Sequence, residues 1–127
     1  MDKKILIVDD EEALRNIFKT ILEKEGYVVT GVGSAEKALE VMEEESFMVM
    51  FLDLNLPRMN GVELCKKIRE DNPVPCIYAV TGFSSLFELV NCREAGFDDY
   101  FVKPIKMDML KKIANESFEK ISRWRKR

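Results

Sequence analysis

Ile5-Leu6-Ile7-Val8-Asp9-Asp10-Glu11-Glu12 is a short apolar run that breaks directly into four acidic residues. An apolar, β-branched run of this length reads as a buried strand, and Ala13, Leu14, Ile17, Phe18, Ile21 and Leu22 then recur at helical spacing until Gly26. The alternation repeats along the chain. Tyr27 to Thr30 predicts a second strand, and Gly31-Val32-Gly33 a turn into a helix capped by Ser34, with Ala35, Ala38, Leu39 and Met42 on its inner face. Phe47 to Leu52 predicts a strand ending in Asp53, and the turn-rich Pro57 to Gly61 leads into a helix bearing Val62, Leu64, Cys65 and Ile68 that stops at Asn72-Pro73. Cys76 to Val80 predicts a strand ending in Thr81-Gly82. Ser84 or Ser85 would cap the next helix, with Leu86, Leu89, Val90 and Ala95 inward and Gly96 as its stop. Tyr100 to Val102 is a fifth strand ending at Lys103-Pro104, and a last helix completes the chain. Five strand-helix units with unbroken apolar strands imply an α/β fold, a three-layer (βα)5 sandwich around a parallel sheet.

Composition agrees with one compact unit over residues 1–127. Apolar residues are 46% and charged residues 34% of 127, an ordinary soluble balance. The longest apolar run, Met48 to Leu52, is far short of the ~20 residues that span a bilayer. The early acidic run leaves no room for a secretory h-region, and three scattered cysteines without a C-x-x-C read as reduced thiols. Both point to the cytoplasm. Histidine is absent, which excludes His-based triads, His-ligated metals and phosphohistidine on this chain. From Lys111 to Arg127 seven basic residues face two acidic ones, leaving −8 on the first 110 residues of a chain whose net charge is −3. Basic residues suit the end of a helix through its macrodipole, so nucleic-acid binding is not expected of this chain alone.

In open parallel sheets, sites form beyond the carboxyl ends of the strands. Those ends bear Asp9 and Asp10, then Asp53, Thr81 and Lys103. Converging carboxylates repel one another unless some protonate or a cation joins them. Oxygen ligands without histidine favour a hard ion such as Mg²⁺. A lysine beside them supplies a compact positive charge and a threonine a hydrogen-bond donor. A central carboxylate can itself be the nucleophile in phosphoryl transfer, so the set is suited to phosphorylating Asp53.

The chain resembles a receiver domain of a two-component response regulator, chemotaxis-receiver-like, over essentially its whole length. The residues that carry the likeness are Ile5 to Asp10, Phe51 to Pro57 with Asn60-Gly61, Val80-Thr81-Gly82 and Gly96 to Pro104. The resemblance implies a flavodoxin-like sheet of order 2-1-3-4-5, with Asp53 as phosphoacceptor assisted by Thr81 and Lys103. It implies a Mg²⁺ ion held by Asp10 and Asp53, by Asp9 through a water, and by the backbone carbonyl of Asn55. It also implies a switch in which Thr81 moves and Tyr100 turns inward, a cis Lys103-Pro104 bond, and tuning of phosphate lifetime from Asn55 and Phe83. Asn60 stands where the family often has Asp; either caps the following helix. The implied partners are a sensor histidine kinase or histidine phosphotransfer protein as donor, and a downstream protein or fused output domain that reads the face of helix 4, strand 5 and helix 5.

Other phosphate chemistries fit less well. A haloacid-dehalogenase phosphatase needs a second Asp where Asn55 stands, and an FMN-binding flavodoxin needs a Ser/Thr/Gly loop where Asp9 to Glu12 stand. Gly31-Val32-Gly33-Ser34-Ala35-Glu36 has glutamate in place of the third glycine of a dinucleotide motif and follows the wrong strand. The reading from another class is a receiver-fold binding module that is never phosphorylated. Such a chain would have lost an acidic residue, the acceptor or the lysine, and this one keeps them all. The expected role is therefore signalling, with no catalysis beyond transfer onto Asp53 and slow self-dephosphorylation.

Overall fold

The structure is a computed structural model that describes residues 3–82 and 86–125. The expectations for Phe83, for a Ser84 or Ser85 cap and for the Leu86 side chain fall outside what it describes. Its elements alternate strictly: β1 (Lys4–Val8), α1 (Glu12–Lys24), β2 (Val28–Val32), α2 (Ala35–Glu44), β3 (Val49–Asp53), α3 (Gly61–Asp71), β4 (Cys76–Thr81), α4 (Leu86–Ala95), β5 (Asp99–Val102) and α5 (Met107–Arg125). All strand pairs are parallel and the sheet order is β2-β1-β3-β4-β5, the order the resemblance implied.

Successive side chains on a strand face opposite ways, so each central strand supplies two cores. Leu6, Val8, Met50, Leu52, Ile77 and Ala79 pack with α2, α3 and α4. Ile5, Ile7, Val49, Phe51 and Val80 pack with α1 and α5, where Phe18, Leu22, Leu110, Ile113 and Phe118 close the layer. Helix ends follow local chemistry. The Ser34 hydroxyl accepts from the Lys37 N–H at 3.1 Å, and Asn60 and Glu63 form a reciprocal capping box. Gly26 and Gly96 adopt φ of 93° and 101°, the left-handed turn that ends a helix.

Two expectations need correction. β2 runs on through Gly31 and Val32, paired with Ile7 and Val8, because a neighbouring strand supplies ladder partners that a local turn reading ignores. In α4, Leu89 and Val90 are 39% and 47% exposed, while Cys92 and Ala95 take the inner face. α4 covers only the margin of the sheet beside α3 and β5, so its buried stripe is narrow and its aliphatic flank stays in solvent. Among the described residues no helix is long and apolar enough to cross a membrane.

Candidate functional site

The strand register sets the site. Val8 lies opposite Leu52, Asp53 opposite Val80 and Thr81 opposite Val102, so the strands end nearly level and their next residues meet at one edge. Asp9 and Asp53 are each 4% exposed and Asp10 is exposed; the three offer carboxylate oxygens that all lie within 4.8 Å of one another. Lys103 reaches in past its cis bond to Pro104, with Nζ 2.9 Å from Asp9 Oδ2 and 3.3 Å from Asp53 Oδ2. The other oxygen of each buried carboxylate is fixed by a backbone N–H two residues on: Glu11 to Asp9 Oδ1 at 2.8 Å and Asn55 to Asp53 Oδ1 at 3.0 Å. These are Asx-type turns, a conformation that Asp favours at strand ends.

Burial raises the Asp53 carboxyl above its ordinary range and Asp9 adds to the rise, while the Asn55 N–H and Lys103 act against it. Burial alone would lower Lys103, yet its hydrogen bond to Asp9 and the charges of Asp53 and Asp9 together carry it upward. Both members of one ion pair therefore shift up. The reason is that a single ammonium is shared between two buried carboxylates, so the lysine is over-supplied with anions and Asp53 under-supplied with cation. Thr81 is fully buried, and its Oγ1 has no hydrogen-bond partner among the described residues, a costly state for a hydroxyl. A donor set made of oxygens, a deficit of positive charge and an unanswered hydroxyl fit a hard divalent cation accompanied by a further group rich in acceptors. Receiver domains bind Mg²⁺ at such an acidic pocket, and these residues suit it.

Of the residues singled out from sequence, Asp9, Asp10, Asp53 and Lys103 come together, with Thr81 at the adjoining strand end. Asn55 contributes its N–H to Asp53. Tyr100 stands apart, half-buried, with its hydroxyl donating to Glu88 Oε2 of α4 at 3.3 Å. The sequence reading missed the supports of the loop after Asp53. A Cβ on Gly61 would run into the Asp53 carbonyl oxygen and lie 2.9 Å from Leu54 Cα, so α3 can start there only with glycine. Glu36 of α2 accepts from Met59 N at 3.4 Å and from Arg58 Nη2 at 3.5 Å, tethering the same loop, in which Arg58 adopts φ 63°. Glycine beside Asn60 was the visible signal for the first support; nothing local marks the second.

Strand order, level strand ends and the acidic cluster define a class, and comparison with known proteins agrees. Residues 5–115 match the model of the response regulator receiver domain family, and the chain belongs to that family. It is 38% identical over 104 residues to the alkaline phosphatase synthesis transcriptional regulatory protein PhoP of Bacillus subtilis, covering 82% of this chain and 43% of that one. The chain thus spans less than half the length of that relative. Among solved structures, a CheY-like response regulator receiver domain from Methanospirillum hungatei JF-1 is 39% identical, with a TM-score of 0.87 over 94% of this chain and 96% of that one. The BeF3-activated DrrB receiver domain is 30% identical, with a TM-score of 0.86 over 94% and 99%.

Proposed function

We propose that this chain is a phospho-accepting receiver whose acceptor is Asp53. The observation that carries the reading is the Lys103 ammonium held between two buried carboxylates beside a Thr81 hydroxyl that has no partner among the described residues. The donor is a phosphohistidine on a sensor kinase or phosphotransfer protein, acting in trans because this chain has no histidine to donate from. A carboxylate oxygen of Asp53 attacks phosphorus in line, the bond from phosphorus to the imidazole nitrogen breaks, and an acyl phosphate remains on Asp53. Asp9, Asp10, Asp53 and the backbone carbonyl of Asn55 would hold Mg²⁺, which offsets negative charge on the phosphoryl oxygens. Lys103 pairs with those oxygens, and Thr81 donates its hydroxyl to one of them. That movement of Thr81 changes the room available to Tyr100, whose bond to Glu88 links β5 to α4.

The output surface is the α4, β5 and α5 face, where Leu89, Val90 and Val102 are solvent-exposed and a downstream protein or fused output domain would dock. Residues 1–127 act as one receiver unit in the cytoplasm, and catalysis is limited to transfer onto Asp53 and its slow reversal. DrrB, described as BeF3-activated, supports the same chemistry in a relative.

The test is intact mass after incubation with a small phosphodonor and Mg²⁺. A single phosphoryl adduct is expected, absent from Asp53→Asn and absent without the metal. An adduct that persists in Asp53→Asn would sink the assignment. No adduct, together with no response to beryllofluoride, would make the chain a phosphorylation-independent binding module.

A further inference from the structure

β2 ends at Val32 within the run Gly31-Val32-Gly33, and neither glycine has the positive φ that would demand glycine for its backbone. A Cβ at Gly31 would only reach ordinary contact with a neighbouring side chain, whereas one at Gly33 would press on it. A Cβ on Gly31 would stand 3.6 Å from Cβ and Cδ of Arg15, and one on Gly33 would stand 3.2 Å from Arg15 Nη1. The two glycines leave a lane along which the half-buried Arg15 runs back from α1 over the end of β2. The lane leads to the acidic site, where Arg15 Nη1 donates to the backbone carbonyl oxygen of Asp9 at 2.8 Å.

That bond completes a set. The Asp9 N–H donates to Val32 O at 3.1 Å, Oδ1 accepts from Glu11 N, and Oδ2 accepts from Lys103. With Arg15 on the carbonyl, every polar atom of Asp9 is held: by β2, by Lys103, and twice at the start of α1. The Asp9 carbonyl belongs to the peptide that leads into Asp10, and a peptide is planar, so holding its oxygen directs the Asp10 Cα. Asp10 is exposed, and among the described residues no hydrogen bond holds its carboxylate, so its backbone sets its aim.

We propose that Arg15 is a positioning residue for the metal site, setting the Asp9–Asp10 peptide so that Asp10 faces the ion. The inference rests on the receiver reading and deepens it. Position and charge make opposite demands, which makes the idea testable. A guanidinium near a cation site repels the cation, so on charge alone its removal tightens binding; as a positioning group, its removal loosens binding.

The experiment titrates the unaltered chain and its variants with Mn²⁺ and reads the free ion by electron paramagnetic resonance. Arg15→Met keeps the stem packed across the glycines and removes the donor. Its affinity is expected to fall about 10-fold or more, the usual cost of losing a group that orients a ligand, with a metal-free melting temperature near that of the unaltered chain. Gly33→Ala, which crowds only the movable guanidinium, is expected to weaken binding in the same direction and by less. It keeps the question open to test even if Arg15→Met folds poorly. In an Asp10→Asn background, Arg15→Met is expected to cost nothing further, because its effect passes through Asp10. Unchanged or tighter binding in Arg15→Met and Gly33→Ala, or a full additional loss in the Asp10→Asn background, overturns the proposal. Failure of the unaltered chain to bind Mn²⁺ overturns the metal site of the receiver reading and this inference with it.

Discussion

The two ends of the sheet hold similar groups in opposite conditions. At the amino end, Arg69 of α3 donates from Nε to Gly96 O at 2.8 Å, from Nη1 to the carbonyl oxygens of Asn72, Pro73 and Pro75, and from Nη2 to Asp98 Oδ2 at 2.9 Å. Asp98 also accepts from the Ile77 N–H at 2.7 Å and returns its own N–H to Ile77 O. One cation meets one anion, and the donors around them are answered. The arrangement fastens α3, the loop before β4 and the end of α4 to the start of β4. At the carboxyl end, three carboxylates cluster, two of them share one lysine, and a buried hydroxyl goes unanswered among the described residues. Equal numbers of charges make a clamp. Unequal numbers make a site that a cation can complete and, on the proposed reading, a phosphoryl group as well.

Four substitutions or titrations sharpen this contrast, beginning with the largest effect. Gly61→Ala drives a methyl group into the backbone of Asp53 and Leu54, and is expected to destabilise the fold by about 3 kcal/mol in urea unfolding. Wild-type stability in that variant would mean that the frame of the carboxyl end is soft. Arg69→Ala removes the amino-end clamp and is expected to cost about 2 kcal/mol while Asp53 still accepts phosphate. Loss of phosphate acceptance in a folded Arg69→Ala protein would erase the distinction between the ends.

Thr81→Val replaces an unsatisfied hydroxyl by a methyl group of the same shape. It is expected to raise stability by about 1 kcal/mol and to remove the change that the proposed switch sends to Tyr100, followed by NMR shifts of β5. A less stable Thr81→Val would show that the hydroxyl is not idle. The smallest effect concerns pH. Asp53 binds its proton more tightly folded than unfolded, so its contribution to stability is present in acid and is lost as pH rises through its raised pKa. In metal-free buffer, Asp53→Asn should therefore match the unaltered chain near pH 3 and become relatively more stable towards pH 8. The opposite trend would mean that Lys103 more than compensates Asp53.

Much of this was legible in the linear chain. Strand ends are read from where an apolar run meets a polar or charged residue, which is a local event, and Asp9, Asp10, Asp53, Thr81 and Lys103 are all at such boundaries. The Ser34 and Asn60 caps are equally local, each involving a backbone N–H three residues away. The inner face of α4 was misread at Leu89 and Val90, though not at Ala95, for the complementary reason. Leu89 and Val90 are apolar, but which flank of a helix is covered depends on how far the neighbouring layer extends.

Residue order and apolar period alone determined the five strand-helix units, the parallel sheet and the set of residues at its carboxyl edge, because strand and helix periods are properties of consecutive residues. Folding across the chain determined the rest. Lys103 reaches Asp53 across 50 residues and Asp98 meets Arg69 across 29, so which charge answers which depends on strand register. The empty lane over Gly31 and Gly33 and the close approach of Gly61 to Asp53 are likewise contacts between distant segments. A glycine in a sequence does not state whether it is there for its backbone or for the space it leaves; the neighbour that fills that space does.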